Sequence, residues 1–244
     1  VDPVIYEIVV TEMGGEQPTP EVTETPQPSE TEAPQPSETE APQPSETEAP
    51  QPTGAPGVGD DVTAVFDDVY TDWYTEYVQY VYENNLMEGT GNGFEPESKM
   101  TRAMLVTVLY RMANPESVES THNFKDVAKG QWYSDAVAWA AANGIVSGIS
   151  ATEFAPDSDI SREQMALIIY RFAKMQDYDV TIKADISSFA DTADISDWAL
   201  DAMKWAIKTE LVNGTSETTL SPKATATRAQ VAAILMRFCE NVAK

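Results

Sequence analysis

The sequence has one cysteine, one histidine and, before Lys99, no basic residue. A lone Cys239 excludes an intrachain disulfide, and its place in the apolar run "AAILMRFCENV" suits a small core residue. One histidine, His122 in a polar stretch, and no clustered Cys or His set leave nothing for a zinc site or a histidine-based nucleophile, so the reading is not an enzyme, with no cofactor and no metal. No apolar run approaches the roughly 20 residues of a membrane span. A net charge of −25 also lacks the basic footprint that neutralises phosphates, which argues against nucleic acid as a partner. The chain starts with neither Met nor a signal-like leader, so it reads as a fragment of a longer, secreted protein.

What is present is strongly segmented. Residues 4–10, "VIYEIVV", are β-branched and aromatic, and 1–15 are expected to be the last strand of a preceding module. Residues 16–60 contain "PQPSETEA" three times in succession, with many Glu and no cation. Such a segment has no apolar surface to offset the entropy of ordering, so it is expected to be a disordered, extended spacer whose Ser and Thr can carry O-glycans. Fully extended at about 3.1 Å per residue, it would reach on the order of 140 Å.

Residues 61–244 hold three diverged copies of one unit, over 61–115, 116–178 and 179–244. The landmarks are Phe66, Asp68, Trp73, Gly89, Phe94, Pro96, Thr101, Arg102 and Arg111 in the first copy. In the second they are Phe124, Asp126, Trp132, Gly148, Phe154, Pro156, Ser161, Arg162 and Arg171, and in the third Phe189, Asp191, Trp198, Gly214, Leu220, Pro222, Thr227, Arg228 and Arg237. Trp to Gly is sixteen residues each time and Arg to Arg nine, so insertions fall in loops. Each copy reads as two helices joined by a loop. The first helix is expected to bury Tyr77, Val78 and Val81, or Ala136, Val137 and Ala140, or Ala202, Met203 and Ala206, with Trp139 and Trp205 in the apolar stripe beside Tyr80. The second helix offers Leu105, Val108, Leu109 and Met112 and their counterparts. One hairpin cannot bury its own apolar face but three around a shared axis can, so the expected fold is all-α with pseudo-threefold symmetry.

Thr101, Ser161 and Thr227 stand at N-cap positions, and Gln164 and Gln230 complete capping boxes that Met104 breaks in the first copy. The arginine that follows opposes the helix dipole at N1, so it needs another reason. Free N–H groups of the first turn, the dipole and the guanidinium of Arg102, Arg162 or Arg228 would together suit a carboxylate or phosphate; a salt bridge to a neighbouring Asp is the alternative. On the ligand reading, Arg→Ala is expected to leave thermal stability nearly unchanged. Arg111, Arg171 and Arg237, in the last turn, suit the dipole. Trp73, Trp132 and Trp198 can stack on sugar rings or act as packing anchors. Asp68, Asp126 and Asp191 can cap the first helix, pair with an Arg of the next copy, or meet a ligand hydroxyl. Gly89, Gly148 and Gly214 bound the loop beside these residues.

This pattern of Phe-x-Asp, Trp, a Gly-bounded loop, Phe-x-Pro and Thr-Arg-Ala-Gln resembles the S-layer homology (SLH) domain family, over about three quarters of the chain. The resemblance implies non-covalent anchoring of a surface protein to the wall of a Gram-positive bacterium, an extracellular, cell-wall or S-layer location. It implies three prongs whose grooves bind a secondary cell-wall polysaccharide bearing ketal pyruvate on N-acetylmannosamine, the motif arginine meeting the pyruvyl carboxylate. Direct binding to peptidoglycan, or self-assembly as an S-layer scaffold, are the alternatives. Met104, the Ser161-Arg162-Glu163-Gln164 variant, Thr192 and Leu220 depart from the family pattern, so unequal grooves are expected.

Overall fold

The computed structural model describes residues 61–116 and 122–243. The expected strand and the Pro/Glu spacer lie outside the described residues. Among the described residues the regular elements are seven α-helices and two 3-10 turns, with no strand longer than an isolated bridge. The helices are α1 (Val62–Val65), α2 (Thr75–Glu83), α3 (Arg102–Ala113), α4 (Ser134–Ala142), α5 (Arg162–Met175), α6 (Leu200–Lys208) and α7 (Arg228–Asn241). The all-α expectation holds. No helix among the described residues is long and apolar enough to cross a membrane.

Helix limits follow from local chemistry. Thr101, Ser161 and Thr227 Oγ atoms accept from the N–H three residues on, and Gln164 and Gln230 return the bond as full capping boxes. The first helices have no side-chain cap but carry Glu76, Asp135 or Asp201 in the first turn, where an acid suits the dipole. They stop in Schellman motifs: Asn85, Gly144 and Glu210 take left-handed conformations, and the N–H of Leu86, Ile145 and Leu211 reaches back to the carbonyl of Val81, Ala140 and Ala206. Gly144 takes this conformation with no Cβ to oppose it. Asn85 and Glu210 do the same job without glycine's freedom.

Packing is cyclic. The second helix of each copy lies on the first helix of the next, α3 on α4 and α5 on α6, and α7 closes the ring on α2. Edge-to-face pairs mark two of these seams, Tyr110 with Trp139 and Tyr170 with Trp205, at 5.6 and 5.5 Å. At the third seam Tyr80 stands in the tryptophan's place, close to Cys239, which is half-buried rather than fully in the core. Tyr77, Tyr80 and Met112 are also only half-buried, while the other apolar positions expected inside are buried.

The axis is built from backbone. Met100 N–H donates to the Ala226 carbonyl (2.9 Å), Ala226 N–H to Ile160 (3.2 Å) and Ile160 N–H to Met100 (2.9 Å), a closed triangle of three fully buried residues. Each copy therefore satisfies its buried polar groups only with both neighbours present.

Candidate functional site

The helix-start N–H groups that the sequence offered to a ligand are already satisfied. Those of Arg102 and Ala103 donate to the Ser158 and Pro156 carbonyls, those of Arg162 and Glu163 to Ala224 and Pro222, and those of Arg228 and Ala229 to Ser98 and Pro96, all at 2.9–3.0 Å. The N-cap hydroxyl takes the next one. An anion cannot use these donors without breaking contacts between copies.

The three N1 arginines are buried between copies, at 5–7 % exposure. Arg102 Nε donates to the Phe154 carbonyl (2.9 Å), Arg162 Nε to Leu220 (2.9 Å) and Arg228 Nε to Phe94 (2.7 Å). Arg162 and Arg228 add a bond from Nη2 to the carbonyls of Asn213 (2.6 Å) and Glu88 (2.7 Å). The guanidinium carbons of Arg102 and Arg228 lie 4.8 Å over the Phe154 and Phe94 rings. Leu220 gives Arg162 no such ring. Burial lowers the pKa of all three, that of Arg228 to about 10, and nearby carboxylates offset part of the effect.

The Phe-x-Asp carboxylates do neither of the jobs expected first. They do not cap a helix, and among the described residues none makes an ion pair with an arginine. Instead Asp68 accepts from the N–H of Phe94 (2.9 Å) and Glu95 (2.6 Å), Asp126 from Phe154 (2.9 Å) and Ala155 (2.6 Å), and Asp191 from Leu220 (2.9 Å) and Ser221 (2.7 Å). Those residues begin a turn in which Glu95, Ala155 and Ser221 have positive φ. The aspartate grips the turn by its N–H groups while the preceding copy's arginine grips the same residue by its carbonyl. The Arg–Asp relation is thus electrostatic and relayed through one peptide, with the arginine of the copy before rather than after. Burial pushes the Asp126 and Asp191 carboxyls up, but the turn's N–H groups and the Arg102 and Arg162 charges outweigh it and hold both below 3.8.

Two grooves open beside these joints. The first encloses about 110 Å³ along α3, where Gly89, Glu88 and Arg111 face Trp132 of the next copy and Arg228 of the previous one. The second encloses about 390 Å³ along α5, where Gly148, Ser147, Ile149 and Arg171 face Trp198 and Arg102. Arg111 and Arg171, read from sequence as dipole partners, stand in these walls. At the third seam Arg237 lies 5.6 Å over Tyr77, where the other copies have Ala136 and Ala202. The structure therefore brings Arg228, Gly89 and Trp132 together in one groove and Arg102, Gly148 and Trp198 in another. Asp68, Asp126 and Asp191 line neither groove. Gly148 has a φ of +74°, and an added Cβ would sit 2.6 Å from the Phe124 ring; Gly89 meets Phe66 in the same way at 2.8 Å. These glycines let the loop lie on its own copy's phenylalanine.

In the second groove Trp198 is 52 % exposed, beside exposed Ile149. The turn that carries Trp198 is held by Glu163, itself buried, whose carboxylate accepts from Ser196 N–H (2.9 Å), Ser196 Oγ (3.1 Å) and Lys223 Nζ (2.6 Å). Alanine occupies the matching position in the other copies, and only the motif's departure at Glu163 signalled it in sequence.

The family model for the S-layer homology domain matches residues 65–103, 123–166 and 188–232. The chain is 33 % identical over 171 residues to the Surface-layer 125 kDa protein of Lysinibacillus sphaericus, which covers 68 % of this chain and 14 % of that protein. To Exoglucanase XynX of Acetivibrio thermocellus it is 30 % identical over 190 residues, 78 % of this chain and 17 % of the relative. A Cellulosome-anchoring protein of the same species is 22 % identical over 158 residues, 62 % of this chain and 34 % of that protein. The chain thus spans between a seventh and a third of the length of these relatives.

Proposed function

The chain belongs to the S-layer homology domain family, and from that membership and the groove geometry we propose that it anchors a surface protein non-covalently to the bacterial cell wall. The ligand is a secondary cell-wall polysaccharide whose N-acetylmannosamine carries a ketal pyruvate, and the setting is the Gram-positive cell surface. The observation that carries the reading is the second groove: two arginines, an exposed indole and no acidic residue in the wall, within a chain of net charge −25. Bidentate guanidinium donors suit the pyruvyl carboxylate, the Trp198 face suits a pyranose ring, and Ile149 suits the ketal methyl. Arg102 is the motif arginine best placed for this. It makes one carbonyl bond through Nε and, among the described residues, none through its terminal nitrogens, whereas Arg162 and Arg228 are each committed twice. The similarity to a surface-layer protein and to a cellulosome-anchoring protein supports the same role.

Titration of the full chain against three glycans tests this: the pyruvylated polysaccharide, the same polymer after acid removal of the ketal, and bare peptidoglycan. Binding to the first is expected, with loss of roughly tenfold or more without the ketal and for Trp198→Ala or Arg171→Ala, and no change in melting temperature for either variant. Equal binding to bare peptidoglycan would replace this reading by direct peptidoglycan recognition. Concentration-dependent assembly with no glycan binding would favour the S-layer scaffold.

A further inference from the structure

The linings of the two grooves differ at several positions, one of which changes their charge. Counting from the loop glycine, Glu88 in the first groove corresponds to Ser147 in the second. Glu88 Oε2 lies 3.4 Å from Arg111 Nη2, and the Glu88 carbonyl takes the second bond of Arg228. Both arginines of the first groove are therefore already engaged by one residue of the loop, and a carboxylate of this chain stands where a ligand carboxylate would have to come. In the second groove the counterpart of Arg111, Arg171, reaches only the neutral Ser147 Oγ and the Ile145 carbonyl, both at 3.5 Å. An incoming carboxylate meets two arginines and a carboxylate in the first groove, and two arginines with no carboxylate in the second.

We infer that Glu88 is a specificity-determining residue that excludes the acid sugar from the first groove, so that one chain carries one acid-sugar site, in the groove of Arg102, Arg171 and Trp198. At the third seam the arginine is engaged by the Tyr77 ring instead. The inference rests on the glycan-binding reading above, and adds that the three copies are not three equivalent sites.

Calorimetric titration of the full chain with the methyl glycoside of ketal-pyruvylated N-acetylmannosamine tests it. The wild-type protein is expected to bind one equivalent. Glu88→Ser, with Glu88→Gln as the isosteric second variant, is expected to add a second equivalent that disappears again when Trp132→Ala is introduced. The reciprocal Ser147→Glu is expected to weaken the wild-type site by tenfold or more while the melting temperature holds. Two equivalents in the wild-type protein, or no gain in either Glu88 variant, would overturn the inference while leaving glycan binding intact. No binding of the probe by any form would overturn both.

Discussion

Arg102, Arg162 and Arg228 look from sequence like ligand groups because a cation at N1 opposes the dipole and gains nothing locally. Their return lies far along the chain: the carbonyl that Arg102 bonds is 52 residues away, and that of Arg228 134 residues away. Local pattern cannot reveal a partner at that distance, and the expectation that Arg→Ala leaves stability unchanged is reversed here. Removing the side chain orphans one or two buried carbonyls and strips the Phe94 or Phe154 ring of its cation. A hydrogen bond to a charged group contributes roughly 1.5–3 kcal/mol, so each Arg→Ala is expected to cost about 2–3 kcal/mol. For a domain of this size that is a fall of roughly 4–12 °C in melting temperature. Arg→Lys is expected to recover part of it, since an ammonium can reach one carbonyl but cannot stack as a guanidinium does. Scanning calorimetry on the three single variants checks this, and a fall below about 1 °C would restore a purely ligand-directed role.

At the scale of elements, the helices were largely legible. Hydroxyl residues before an apolar run, Gln at N3, and Gly144 after one mark starts and stops by chemistry contained in a few residues. α1 and the stops at Asn85 and Glu210 were not, because nothing in those residue types demands the conformation that tertiary packing imposes. The Phe-x-Asp turns are the clearest case of an element whose residues were visible and whose job was not. Asp126 and Asp191 have folded pKa values below 3.8, so the stability they contribute is fully present above the unfolded value and is lost as pH falls through the folded one. Both are exposed enough for solvent to screen part of the effect. The chain is expected to lose melting temperature progressively below about pH 4. Asp126→Asn and Asp191→Asn each keep one acceptor and lose the titrating charge, so they should be less stable at pH 7 and show a shallower acid slope. Melts from pH 2 to 7 measure both, and an unchanged slope would remove these turns from the acid response.

For the whole molecule, the threefold repeat could be read from spacing alone, and the inequality of its copies from the departures at Met104, Glu163 and Leu220 from the family pattern. Glu88 against Ser147, and Tyr77 against Ala136 and Ala202, were equally readable as letters, but their meaning depends on which helix lies on which. That order is the cyclic one, and it has an energetic consequence. In an open solenoid the stabilities of repeats and their interfaces add, and a terminal repeat can be removed with modest loss. Here Met100, Ile160 and Ala226 hydrogen-bond in a triangle, each helix start is satisfied by the turn of another copy, and α7 covers α2. Deleting the third copy after Tyr178 would leave Arg162, Glu163 and Ile160 without their carbonyl and N–H partners, and would uncover Val78 and Val81. The truncated chain is therefore expected to unfold outright rather than retain two thirds of its stability. The intact chain is expected to melt in one transition whose calorimetric and van't Hoff enthalpies agree. Two separated transitions, or a folded 1–178 fragment by far-UV circular dichroism, would show that the copies are stable neighbours and not parts of one closed ring.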